Sequence, residues 1–159
     1  MTAWRSRIVG SGTVAPDQLL ANPRNWRIHP ALQQDVIDES LEQLGWIQQP
    51  IVNRTTGHLV DGHLRVAAAL RHGEAEIPVL YVEMDEAEEA AALAVLDPSS
   101  ALALADPEAL GRLMDEIAVD SPALSELLDS LVQDAGTKAP ADDGRGAGLD
   151  SYRDSVIRL

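Results

Sequence analysis

The stretch Leu59-Val60-Asp61-Gly62-His63-Leu64-Arg65-Val66-Ala67-Ala68-Ala69-Leu70 leaves the chain little conformational freedom. A short strand-like run stops at Asp61-Gly62, and an Ala/Leu-rich helical pattern begins at once, with His63 and Arg65 in its first turn. Helix N-termini carry unpaired amide donors and the positive end of the peptide dipole, so a strand–Gly–helix junction is a natural anion site. An arginine in that turn adds a planar fork of donors suited to phosphate. Many such junctions serve only as turns, so the flanking sequence has to decide between the two uses.

The flanks alternate between helical and strand patterns. Arg7 to Val14 predicts a first strand, and Pro16-Asp17-Gln18-Leu19-Leu20 a helical turn. His29-Pro30 marks a helix start, with Leu32, Val36, Ile37, Leu41 and Leu44 at helical spacing and Gly45 as a stop. Ile51-Val52-Asn53 and His58-Leu59-Val60 flank Thr55-Thr56-Gly57 as a hairpin. A helix from His63 to His72 ends at Gly73, and Ile77 to Val82 forms a buried strand. The order β, α, ββ, α, β over residues 7–83 is a small α+β domain with a mixed sheet.

Beyond it the composition changes. Residues 1–80 carry seven arginines against eight carboxylates, whereas residues 81–159 carry five basic and eighteen acidic residues. Residues 84–133 are expected to be an acidic helical extension, with one helix over Glu86–Leu96. Asp106-Pro107 and Ser121-Pro122 signal the starts of two more, near Leu110–Ile117 and Leu124–Val132. Residues 134–150, rich in Gly, Ala, Asp and Pro, are expected to be a disordered linker, and residues 151–159 a tail that is either the opening strand of a further element or a docking segment.

Charge and composition bound the partners. The net charge of −14 repels duplex DNA at long range, so direct DNA contact is expected to be weak or indirect. A local basic face from Arg24, Arg27, Arg54, Arg65 and Arg71 is the one route open to it. The acidic helices would face a protein partner. There is no run of about 18 apolar residues to cross a membrane, and Met1–Arg7 lacks the apolar segment of a signal peptide; a cytoplasmic location is expected. With no cysteine, disulfides, thiolate metal sites and cysteine-based cofactors are excluded.

Three further groups bear on the junction. Asn22-Pro23-Arg24-Asn25-Trp26-Arg27-Ile28-His29-Pro30 sets two arginines beside a tryptophan, suited to a phosphate or a base. Gly45-Trp46-Ile47-Gln48-Gln49-Pro50 either caps a helix with Trp46 over the core, or offers Trp46 to a base. His58, Asp61 and His63 lack the further ligands a metal needs, so no metal site is assigned. No Ser-His-Asp order or carboxylate pair stands out, and the catalytic residues are left unassigned.

Taken in order, Asn22–Pro30, Gly45–Pro50, Asp61–Arg65 and Ala75–Tyr81 resemble the ParB-like N-terminal domain, of the ParB/sulfiredoxin fold. The resemblance covers roughly Val14 to Met114 and looks closest to the branch that travels with phage, plasmid and DNA-methyltransferase genes. It implies a nucleotide- or phosphate-binding site made of Gly62, His63, Arg65, Asp61, Gln48, Gln49, Pro50, Arg24 and Arg27, with a nucleoside triphosphate and Mg²⁺ as the ligand. ParB proteins carry a Gly-Glu-Arg-Arg type turn and bind CTP, while this chain keeps the Gly and one Arg. Their Glu-Asn-x-Gln-Arg motif is replaced by Leu96-Asp97-Pro98-Ser99-Ser100-Ala101, which argues against CTP hydrolysis. The cysteine chemistry of sulfiredoxins is excluded.

Three functions stay open. The first is a nucleotide- or phosphate-binding module in DNA segregation, modification or phage DNA processing. The second is an NTP-dependent phosphotransferase or NTPase, in which Asp61 or Asp97 assists a metal or takes a proton. The third is an acidic protein-interaction or DNA-mimic module.

Overall fold

The computed structural model describes residues 3–101, 107–116 and 121–137. Its strands are β1 (Ile8–Val14), β2 (Ile51–Asn53), β3 (Leu59–Asp61) and β4 (Ile77–Val82). Its helices are α1 (Ala31–Leu44), α2 (His63–His72), α3 (Glu86–Ala101), α4 (Pro107–Glu116) and α5 (Pro122–Thr137), with a 3-10 turn at Pro16–Gln18. The strands form one mixed sheet in the order β1-β4-β2-β3. β4 pairs antiparallel with β1 and parallel with β2, and β2 closes the hairpin with β3. The expected α+β class and element order hold.

Sequence punctuation sets the boundaries. Gly45 and Gly73 end α1 and α2 at φ of 73° and 71°, a backbone region that side chains disfavour. Successive strand residues point to opposite faces, and here both faces are covered. Val52 and Leu59 join Val66 and Ala69 of α2 and Ile77 and Val79 of β4 in the main core. Val60, Asn53 and Leu93 of α3 are buried on the other side. Each fully buried Leu, Ile or Val in such a core contributes about 1.5–3 kcal/mol. Trp46 is partly buried against the main core, in agreement with its packing role.

The acidic extension is less separate than the residue 83/84 boundary suggests. Glu89 and Leu93 are each 2% exposed, and α3 packs on β3. α5 docks on α1: the Glu39 carboxylate accepts the Ala123 N–H at 3.2 Å, and Ser121 Oγ accepts the Leu124 N–H at 3.2 Å as the expected N-cap. α5 also runs on to Thr137, four residues into the expected linker. The rest of that linker, the tail 151–159 and Asp106 lie outside the described residues. No described helix is long and apolar enough to cross a membrane.

One short connection prepares the site. Leu20 forms an isolated bridge with His58, and its carbonyl accepts the Leu59 N–H at 2.9 Å. The segment from Leu20 to Arg27 is thereby laid along the outer side of β3, next to the start of α2.

Candidate functional site

The junction folds as its sequence suggests. Gly62 caps α2 at φ 84°, in the left-handed region, and its bare Cα faces Pro50, whose side chain is fully buried. Gly62 itself brings no side chain to cap the first turn of α2. Helix N-termini commonly receive anions.

Two guanidinium groups converge there. Arg65 donates to Asp61 Oδ2 at 2.9 Å and to Gln48 Oε1 at 3.2 Å, and Arg27 Nη1 lies 3.7 Å from Asp61 Oδ1. The side chains of Arg27, Arg65 and Asp61 are 9%, 16% and 19% exposed. With His29, Gln33, Ile37, Gly62, His63 and Leu64 they line a cavity of about 130 Å³. The Arg65 Nε is buried without a hydrogen-bond partner. A cradle with two cations, one carboxylate and a helix N-terminus is electropositive overall.

The predicted site residues divide into two groups. Gly62, His63, Arg65, Asp61, Gln48 and Arg27 come together around the cradle. Pro50 supports Gly62 from beneath, and Gln49 points into the sheet, donating weakly to the Val79 carbonyl at 3.4 Å. Arg24 lies elsewhere: it donates to the Glu86 carbonyl at 3.1 Å and stands 3.7 Å from the Glu86 carboxylate. His63 is a fastener as well as a lining residue, because its Nε2 accepts the Asn22 N–H at 3.1 Å. That bond fixes the neutral ring with its proton on Nδ1. His29 and Gln33, which bond to each other at 2.9 Å, were not among the expected site residues.

Behind the Asn22 loop lies a second polar centre with no counterpart in the sequence reading. The buried Glu89 carboxylate accepts from Asn22 at 2.9 Å, from Asn53 at 2.6 Å and from the Thr56 hydroxyl, and His58 Nδ1 stands 3.5 Å away. Burial pushes the Glu89 carboxyl up, but the hydrogen bonds from Thr56, Asn53 and Asn22, with the His58 imidazole, outweigh it. The group ends below its ordinary range and is ionised at neutral pH. Asn22, Pro23, Arg24, Thr55, Thr56, His58, Glu86 and Glu89 surround a cavity of about 480 Å³. No local pattern announces Glu89, which sits 67 residues from Asn22 and 36 from Asn53.

The expected basic face does not form. Arg27 and Arg65 meet Asp61, Arg24 meets Glu86, and Arg71 meets Asp38 at 2.7 Å. Arg5 and Arg7 both meet Glu88, and Arg54 lies 5.2 Å over the Tyr81 ring. Each carboxylate partner offsets the charge a phosphate backbone would meet. Among the described residues no group of three or more His, Asp or Glu is placed to hold a metal ion. At the cradle the donors suit a phosphoryl group, while a divalent cation would find only Asp61, already set between two guanidiniums.

No family model and no curated protein matches the chain. Among solved structures it is similar to the C-terminally truncated chromosome-partitioning protein ParB from Caulobacter crescentus, complexed with CTP-γ-S. That match has a TM-score of 0.55 at 17% identity and covers 92% of this chain and 88% of that one. A Pnob8-like ParB-N domain matches 54% of this chain with a TM-score of 0.45 and 18% identity; the chain spans 34% of its length. The chain has the ParB type of fold, as its ordered motifs imply.

Proposed function

We propose that the chain is a ParB-like phosphate- or nucleotide-binding module acting in DNA segregation, modification or phage DNA processing, and working in the cytoplasm. The observation that carries this reading is the pair of largely buried guanidiniums, Arg27 and Arg65, converging on the start of α2. Asp61 offsets only one of these two charges, so the pair and the helix N-terminus leave a net positive site for a further anion. The fold likeness to a ParB solved with a CTP analogue supports a nucleotide as that anion.

Binding is favoured over phosphotransfer. The cradle offers no nucleophile, and its one carboxylate is held between cations. The cavity of about 130 Å³ is smaller than the roughly 300–1,000 Å³ that whole small-molecule ligands occupy. It suits a phosphoryl group with the remainder of the ligand lying outside.

Thermal shift against the four nucleoside triphosphates, with and without Mg²⁺, tests the proposal. A ligand at 100 times its Kd stabilises the folded state by about 2.7 kcal/mol. The expected result is a shift with at least one nucleotide that disappears in Arg27→Ala and Arg65→Ala. Absence of any shift at millimolar nucleotide or inorganic phosphate would refute it, and nucleotide turnover would favour the phosphotransferase or NTPase reading.

A further inference from the structure

The cradle contains an anion of its own. One Asp61 oxygen accepts from Arg65 at 2.9 Å, and the other stands 3.7 Å from Arg27. Arg65 is steadied from its far side by Gln48 at 3.2 Å. All three charged side chains are at least four-fifths buried and line the same cavity of about 130 Å³. A phosphoryl group entering this space must take over bonds that Asp61 now makes.

We propose that Asp61 is an internal competitor that restricts the cradle to phosphoryl groups carrying two negative charges, such as a terminal phosphomonoester. The inference rests on the phosphate-binding reading above and names the ligand class of that site. A carboxylate tethered beside its cations acts at an effective concentration in the millimolar range or above, and it loses no translational freedom on binding. A free monoanion brings the same charge as Asp61 and gains nothing by replacing it. A phosphomonoester brings nearly one more charge and three acceptor oxygens, enough to engage both guanidiniums and the α2 amides.

The same logic rejects phosphodiesters. A diester carries one charge, and two of its four oxygens are capped by carbon, so it matches neither the electrostatic demand nor the small cavity. The nucleic-acid backbone is a phosphodiester. Asp61 therefore lets the cradle take the end of a nucleotide while refusing the backbone of DNA.

Calorimetric titration of the full chain with methyl phosphate, dimethyl phosphate and acetate tests this. The intact chain is expected to bind methyl phosphate and to show no heat with the other two. Asp61→Asn should bind methyl phosphate at least about tenfold more tightly, since a like charge within about 4 Å has been removed. It should also acquire measurable affinity for dimethyl phosphate and acetate. Equal binding of methyl and dimethyl phosphate by the intact chain would overturn the proposal. So would an Asp61→Asn chain with unchanged or weaker affinity for methyl phosphate. If that variant fails to fold, the monoester–diester comparison on the intact chain decides alone. Arg65→Ala separates the two levels: full retention of methyl phosphate affinity there removes the phosphate-binding reading itself.

Discussion

A Cβ placed on Gly62 would stand 2.8 Å from the Cα of Pro50 and 2.9 Å from its Cβ. The start of α2 thus rests directly on the backbone that enters β2, with no side chain between them. Gly62 meets two demands at once, a close approach and a φ of 84°. The last loop before β2 and the first turn of α2 are thereby held in a fixed relation, which sets Gln48 within reach of Arg65.

Gly62→Ala is expected to destabilise the chain by about 2–4 kcal/mol, from left-handed strain and overpacking together. The check is the urea midpoint at neutral pH. Little or no change there would mean that the contact with Pro50 yields easily and the cradle is not rigid.

Glu89→Gln keeps the shape of the side chain but turns one acceptor oxygen into a donor facing donors. A cost of about 1–3 kcal/mol at pH 7 follows from the hydrogen bonds left unmade. The pH dependence has a definite sign. The folded-state pKa of Glu89 lies below the unfolded value near 4.5, so its contribution is present above that pH. It is lost as the pH falls through the folded value. The stability curves of the two proteins should converge on acidification below 4.5; parallel curves would contradict an ionised Glu89.

A chain cut after Met84 would lack Glu89 and Leu93, each 2% exposed in the full fold. Asn53, Thr56 and Asn22 would lose their shared acceptor, and one side of β3 would face water. Such a fragment is expected to show no cooperative thermal transition by circular dichroism. A sharp transition near that of the intact chain would restore the boundary between residues 83 and 84.

For duplex DNA the intact chain should bind at about 10⁻⁴ M or weaker at physiological salt, the range of non-specific contact. The net charge of −14 opposes approach, and six arginines of the first eighty residues already have carboxylate partners. Fluorescence anisotropy with a labelled duplex measures it. Submicromolar, sequence-specific binding would sink the expectation.

The parts of this molecule written in local sequence were legible. Pro30, Gly45, Gly62 and Gly73 mark where the backbone changes direction, and the hydrophobic period switches at each. The cradle was legible where residues lie close in sequence, as with Asp61 and Arg65, four residues apart across the strand–helix junction. Arg24 and Arg27 looked equivalent in sequence. The turn of an irregular loop sends one to Glu86 and the other to Asp61, and no periodicity encodes that choice. Glu89 was hidden for another reason. In an Ala/Glu-rich helix a carboxylate normally faces solvent, and only the folded sheet brings two asparagines and a threonine to meet it.

The position of β4 carries a consequence for how the chain is made. β4 lies inside the sheet, with Ile77 and Val79 fully buried, and it is the partner of both β1 and β2. It is also the last strand among the described residues. During synthesis from the N-terminus, β1 has no neighbour until about seventy more residues have emerged, and the hairpin alone is too small to be stable. The sheet closes in one late step of long contact order. Until then the cradle's two arginines belong to segments with no common scaffold, so an incomplete chain has no assembled site in which to hold a nucleotide.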